Sequence, residues 1–270
     1  MPNPVVITRP LAQCAALAAQ IERQGRQVCL LPLLRILPLE QPEQVAALQA
    51  QLARLSEYAL VAFVSPNAIE ACFAQMRALG LTWPATTAIA VMGEGSRAAL
   101  VAQGIDAERT RIFAPSDKQR TDSETLLEEL DLPHLRGQQV LIVRGQHGRE
   151  WLFEALQAAG VQAQQIASYQ RLPASDELRE NLQLALQQSH HWLITSSEAL
   201  RSLMQMLEKM QESSTPLSAV EVDIVAKMKQ QHMIVPHLRI AQTAQSLGFC
   251  NITQCAAGDV GLLAALQSLP

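Results

Sequence analysis

The sequence predicts an α/β protein of two similar domains, each a parallel sheet with helices packed on it, produced by duplication of one unit. Three observations predict this. Of 270 residues, 49% are hydrophobic and 17% charged, which is enough apolar material for more than one core. The sequence repeats itself at a constant offset of 135, half the chain length. Within each copy, short β-branched runs alternate with helical patterns, the signature of parallel α/β units.

The repeat is clearest between Val5–Pro38 and Val140–Pro173. Without a gap, Val5/Val140, Ile7/Ile142, Arg9/Arg144, Leu17/Leu152, Gly25/Gly160, Gln27/Gln162, Leu37/Leu172 and Pro38/Pro173 are identical, 8 of 34 positions. Each copy opens on a buried-strand pattern, Val5-Val6-Ile7 or Val140-Leu141-Ile142-Val143. A helix follows, with apolar residues at helical spacing: Leu11, Ala15, Ala18 and Ile21, then Trp151, Leu152, Ala155, Leu156 and Ala159. Gly25 and Gly160 stand where a helix end wants positive φ. A second apolar stretch, Val28–Leu31 or Gln165–Ala167, then runs to a proline.

The remainder of each half matches more loosely. Leu60–Val64 leads into Ser65-Pro66-Asn67-Ala68-Ile69, and Trp192-Leu193-Ile194 into Thr195-Ser196-Ser197-Glu198-Ala199-Leu200. Both read as a strand, a capping turn and a helix. Ala88–Met92 then leads through Gly93-Glu94-Gly95-Ser96 to a helix ending at Gly104. Its counterpart is Met233-Ile234-Val235, Pro236–Arg239 and a helix ending at Gly248. Ala114–Asp122 and Gln211–Ser218 read as surface loops, and Thr121-x-x-Glu124 has capping-box spacing.

Composition and motifs exclude several functions. A net charge of −4 and 4% aromatic residues argue against nucleic-acid binding. No apolar run approaches the roughly 20 residues of a membrane span, and Met1-Pro2-Asn3-Pro4 predicts no signal peptide. Cys14, Cys29, Cys72, Cys250 and Cys255, odd in number and scattered, fit reduced thiols in the cytoplasm. Gly93-x-Gly95 lacks the third glycine of a dinucleotide loop, and neither a phosphate loop nor a G-x-S-x-G elbow occurs. No local cluster of histidines or cysteines has metal-ligand spacing, so no metal or cofactor is expected.

What remains is polar chemistry at the C-terminal ends of the strands, where open α/β sheets bind ligands. Thr8 and Arg9 end the first strand, and Arg144 and Gly145 its repeat partner, with His147, Gly148 and Arg149 close behind. Other strands end in Ser65 and Asn67, in Gly93–Ser96, and in Thr195, Ser196 and Ser197. Hydroxyls, small residues and helix N-termini suit anion recognition. Each Ser, Thr or Asn also reads as a plain helix cap, and the two roles are compatible. Arg9 and Arg144 read equally as solvated strand-end residues, and Tyr169 as a packing residue.

Taken in order, V-x-I-T-R-P at the start, Phe63-Val64-Ser65-Pro66-Asn67-Ala68-Ile69, Pro115 through Ser123-Glu124, Val140–Gly145 through Gly148-Arg149, Tyr169-Gln170-Arg171, Thr195-Ser196-Ser197-x-Ala199 and Ala241 to Leu247-Gly248 resemble the uroporphyrinogen-III synthase family over essentially the whole chain. Val64 stands where the family often has Thr, Ser96 supplies the hydroxyl of the first glycine turn, and Pro236–Ala241 has lost the glycine and hydroxyl of the second. The resemblance implies cyclisation and dehydration of linear hydroxymethylbilane, with inversion of ring D, to uroporphyrinogen III. It implies no cofactor, a monomer, and an active site in a cleft between two domains joined by a two-stranded crossing. It assigns Tyr169 a hydrogen bond to the departing hydroxyl. The substrate's eight carboxylates would be held by Thr8, Arg9, Ser65, Asn67, Ser96, Arg144, Gly145, Arg149, Thr195, Ser196 and Ser197. Both repeats reach Pro38 and Pro173 at equivalent places, and with the two-stranded crossing that the resemblance implies, one expected domain is discontinuous, 1–36 plus 173–270, and the other is 37–172. The rival readings are a non-enzymatic ligand sensor of similar build and a cofactor-dependent transferase. A sensor would leave the product isomer ratio unchanged.

Overall fold

The computed structural model describes residues 2–105, 107–116, 122–175, 177–213 and 223–269. In chain order the elements are β1 (Val5–Ile7), α1 (Ala15–Arg23), β2 (Val28–Leu30), β3 (Leu34–Leu37), α2 (Pro42–Ala53), β4 (Leu60–Phe63), α3 (Pro66–Ala78), β5 (Ala88–Val91), α4 (Glu94–Ala102), β6 (Ile112–Phe113), α5 (Ser123–Glu128), α6 (Leu132–Leu135), β7 (Gln139–Gly145), α7 (Trp151–Ala158), β8 (Gln162–Pro173), α8 (Leu178–Ala185), β9 (His191–Leu193), α9 (Ser197–Ser213), α10 (Ile224–Gln230), β10 (His232–Val235), α11 (Leu238–Ser246), β11 (Ile252–Gln254) and α12 (Gly258–Gln267). The fold is α/β, built on two sheets whose strands run predominantly parallel. The chain divides into two compact units, Met1–Arg35 with Leu172–Pro270, and Ile36–Arg171.

The first unit carries a parallel sheet in the order β11-β10-β9-β1-β2. Strand alternation splits its apolar residues between two faces. Val6, Trp192, Met233 and Val235 pack with α8, α9 and α11 on one side. Val5, Ile7, Leu193 and Ile234 pack with α1 and α12 on the other. Both faces are therefore dry, which is why these strands read as continuous apolar runs.

The second unit carries the sheet β3-β8-β7-β4-β5-β6, parallel from β8 to β6. Val61, Phe63, Leu141 and Val143 face α2, α3 and α4. Leu60, Ala62, Val140 and Ile142 face α5, α6 and α7.

The 135-residue repeat maps onto the units in an exchanged way. The segment β1-α1-β2 corresponds to β7-α7-β8, yet the former lies in the first sheet and the latter in the second. Conversely β4–β6 lie in the second sheet and their counterparts β9–β11 in the first. Each sheet thus combines the front of one repeat with the back of the other. The helices α1 and α7 both end on a glycine of positive φ, Gly25 at +79° and Gly160 at +81°.

The copies diverge after those glycines. The second continues as one twelve-residue strand, β8, whereas the first breaks into β2 and β3, which belong to different sheets. The break holds Pro32, which has no N–H to give a ladder, where the second copy has Ala167. The chain changes unit within β3 and again within β8, and these two strands are neighbours in the second sheet.

Two local expectations are corrected. The cap of α5 is Asp122, whose carboxylate accepts from the Thr125 N–H at 2.8 Å; Thr121 lies outside the described residues. Asp122 sits one residue closer to the helix and offers a charged acceptor to its N-terminus. In the expected loop at 211–218, residues 211–213 instead complete α9, and 214–218 lie outside the described residues.

Candidate active site

In the second sheet, β4, β5 and β6 follow one another outward on one side, and β7 and β8 on the other. The order reverses between β4 and β7, so this is a topological switch point, the place at the C-terminal ends of the strands where open α/β sheets bind ligands. Ser65 follows β4, Gly145 ends β7, and Tyr169 lies alongside on β8.

Tyr169 reaches this place through a register shift. Arg144 pairs with Ala167, but the next residue, Gly145, pairs with Tyr169 instead of Ser168. Strict alternation would put Tyr169 on the α7 side of the sheet. The extra residue turns it to the α3 side, where it is buried with Phe63 and Val143. Ser168 closes the irregularity by donating its hydroxyl to the Arg144 carbonyl at 3.3 Å. Gly145 makes room for the ring: a Cβ there would stand 2.9 Å from Tyr169 Cζ and 3.1 Å from its hydroxyl.

The Tyr169 hydroxyl lies 3.1 Å from Ser65 Oγ, and Ser65 Oγ also accepts from the Ala68 N–H at 3.1 Å, capping α3. The Tyr169–Ser65 contact takes one of the two hydroxyl protons. Whichever group donates, the other keeps a proton for a ligand. The pair is therefore a donor held in place by a helix cap. By contrast, the hydroxyl of Tyr58 faces Gln51 and Gln164 within its own core.

Arg144 points to the opposite face. It is buried, and its Nη1 donates to Gln165 Oε1 at 2.6 Å across the β7–β8 ladder. Its guanidinium lines a cavity of about 310 Å³ together with Gly145, His147, Gly148 and Gln165. Arg149 is outside this cavity and forms an exposed ion pair with Glu124 at 2.8 Å. Ser96 is buried in the first turn of α4, beyond β5, and Asn67 is half-buried in the first turn of α3.

The first unit has the same kind of switch point, between β1 and β9. Its candidates mostly bond within the fold. Thr8 is buried and donates to the Leu193 carbonyl at 2.7 Å, tying β1 to β9. Arg9 pairs with Asp259 in the first turn of α12 at 2.5 Å. Ser196 Oγ accepts from the Ala199 N–H at 3.3 Å at the start of α9, and Ser197 Oγ accepts from the Thr243 hydroxyl at 3.1 Å. Thr195 lies between β9 and α9, half-buried.

A family model described as Uroporphyrinogen-III synthase HemD matches residues 15–263. The chain belongs to the uroporphyrinogen-III synthase family. It is similar to the uroporphyrinogen-III synthase of Salmonella typhimurium, 28% identical over 266 residues, covering 97% of this chain and 99% of that one. The uroporphyrinogen-III synthase of Escherichia coli is 26% identical over 265 residues with the same coverage. Among solved structures, a mutant uroporphyrinogen III synthase from the extremely thermophilic bacterium Thermus thermophilus shares the fold at 15% identity. The TM-score is 0.58, with coverage of 98% of this chain and 97% of that one. The uroporphyrinogen-III synthetase of Helicobacter pylori does so at 13% identity and TM-score 0.58, covering 98% and 99%.

Within this member of the uroporphyrinogen-III synthase family, the second unit collects Ser65, Gly145 and Tyr169 at one switch point and Arg144 beside it. It does not bring Arg149 into that group. The sequence reading missed Gln165, Ser168 and Asp259. The first sits in the polar run Gln162-Ala163-Gln164-Gln165, and its place opposite Ile142 shows only in the ladder register. Ser168 carried none, because a one-residue shift leaves the composition of a strand unchanged. Asp259 showed only as an acidic residue in a helix first turn.

Proposed function

We propose that this chain is a uroporphyrinogen-III synthase acting on linear hydroxymethylbilane. The observation that carries the reading is the Tyr169–Ser65 hydroxyl pair at the switch point of the second sheet, in a chain of this family. The reaction removes the ring-A hydroxyl as water and closes the macrocycle with ring D inverted. The pyrrole nitrogen lone pair expels the hydroxyl, so the protein need not supply a strong nucleophile. It must give the leaving oxygen a hydrogen bond and hold a flexible chain in the inverting geometry.

Tyr169 is the donor to the leaving hydroxyl in this proposal. Ser65 fixes the phenol and is itself fixed by the α3 cap. A hydrogen bond that strengthens as charge builds on the leaving oxygen lowers the barrier without an acid of shifted pKa. The substrate carboxylates are assigned to Arg144, Gly145, Ser65, Asn67 and Ser96 in the second unit, and to Thr195, Ser196 and Ser197 in the first. Thr8, Arg9 and Arg149 are proposed with less direct roles, since the Thr8 hydroxyl binds Leu193, Arg9 pairs with Asp259 and Arg149 with Glu124. Holding many carboxylates at once is catalysis by orientation.

In this reading the chain is a cytoplasmic monomer of two domains, one of them discontinuous, with one small-molecule partner. Among the described residues, no helix is long and apolar enough to cross a membrane. The test is incubation with freshly prepared hydroxymethylbilane, followed by separation of the uroporphyrinogen isomers. Isomer III in excess over a protein-free control supports the reading. An isomer ratio equal to the control's rejects it and returns the chain to the sensor class.

A further inference from the structure

Arg144 is an unusual buried cation. Buried arginines are normally matched by a carboxylate, because an unpaired charge out of water is costly. Among the described residues no carboxylate pairs with this one; its side-chain bond goes to the neutral amide oxygen of Gln165. That bond engages one of the five guanidinium N–H donors. On its other side the guanidinium lies against Gly148, where a Cβ would stand 2.7 Å from Nη2. It is thus held by one hydrogen bond, without a carboxylate partner among the described residues, beside a cavity of about 310 Å³. The one acidic residue on the cavity wall, Glu150, is exposed and makes no ion pair with Arg144.

From this arrangement we propose that the cavity beside Arg144 binds one carboxylate of the substrate, and that Gln165 is the positioning residue that aims Arg144 without neutralising it. The inference rests on the reading of the chain as a synthase of a carboxylate-rich substrate and names one subsite within it. A planar guanidinium takes a carboxylate through two parallel N–H donors when its plane is fixed. Glutamine fixes that plane with a carbonyl oxygen. Glutamate would fix it equally well and occupy the charge. Gly148 serves the same end by leaving no side chain in the way.

The discriminating variant is Gln165→Glu. A purely structural Gln165 would be replaced well by Glu, which keeps the acceptor and adds an ion pair. The proposal expects an unchanged or higher melting temperature, KM raised about tenfold or more, and kcat within about twofold. Gly148→Ala, which pushes on the far end of the Arg144 side chain, gives the same KM rise should Gln165→Glu not fold. A readout free of activity is titration of the whole protein with sodium propionate, following the Arg144 Nε–H and the Gly148 amide by NMR. Wild-type resonances shift and those of Gln165→Glu do not. Wild-type KM in both variants overturns the subsite and leaves the synthase reading standing. Propionate shifts lost in Gln165→Glu, from a protein that makes no isomer III, keep the carboxylate pocket and overturn the synthase reading.

Discussion

Tyr169 and Ser65 carry separable tasks, and two substitutions read them apart. Tyr169→Phe keeps the ring packed against Gly145 and removes the donor. The expected result is a turnover loss of about tenfold or more, the factor that about 1.4 kcal/mol of lost transition-state stabilisation gives, with little change in melting temperature. Ser65→Ala removes the α3 cap, which costs about 1 kcal/mol of stability, and shows as a lower melting temperature. Its effect on turnover is smaller than that of Tyr169→Phe, because the Tyr169 phenol keeps its own proton when Ser65 Oγ is removed. Equal activity of Tyr169→Phe and wild type, with Ser65→Ala inactive, reverses these roles. Residue type at strand ends was legible in the sequence, since hydroxyls and glycines follow apolar runs. Which hydroxyl stays available was not: Thr8 and Ser65 look alike in sequence, yet Thr8 bonds to a buried carbonyl and Ser65 to a phenol.

At the scale of elements, the β7–β8 irregularity places Tyr169. A side chain at Gly145 would meet the ring at 2.9 Å, and the ring sits in a packed core. Gly145→Ala therefore shifts the phenol away from Ser65. The expected outcome is an activity loss at least as large as in Tyr169→Phe, with the near-ultraviolet tyrosine signal altered as well. At the opposite, N-terminal edge of the first sheet, His191 and His232 face each other across β9 and β10 with Nδ1 atoms 2.9 Å apart, and His232 Nε2 lies 2.8 Å from Thr253 Oγ1. Burial pushes the pKa of His232 below its ordinary 6.5. The unfolded chain then takes up the proton first as pH falls. Stability is full above 6.5 and declines as pH drops from there towards the lowered folded value. A melting-temperature series against pH checks this, and His232→Asn flattens the acid side of the curve. Strand and helix positions were legible from periodicity and glycine stops. The β8 irregularity and the split of the first repeat into β2 and β3 were not, because they depend on ladder register and on what each strand pairs with.

For the whole molecule, the exchange of repeat halves makes a specific prediction about fragments. Residues 1–135 form one complete repeat in sequence, yet their strands belong to both sheets. Residues 36–171 cross the repeat boundary and hold nearly all of the second sheet with its two apolar faces. Circular dichroism should show a cooperative thermal transition for 36–171 and none for 1–135. A cooperative transition in 1–135 alone would mean that the repeat, not the unit, is what folds. The duplication was legible as an offset; its exchange between sheets was suggested by the matching prolines at 38 and 173 together with the family resemblance, since identical strands can pair within a repeat or across two.

Both units together serve one activity, the directed ring closure of a linear tetrapyrrole. The most direct measurement is the isomer ratio formed from fresh hydroxymethylbilane at a series of protein concentrations, in competition with spontaneous closure. The fraction of uroporphyrinogen III is expected to rise with protein concentration towards completeness, and at any fixed concentration to be lower for Tyr169→Phe. A ratio that stays at the protein-free value across the series, for a folded wild-type protein, contradicts it.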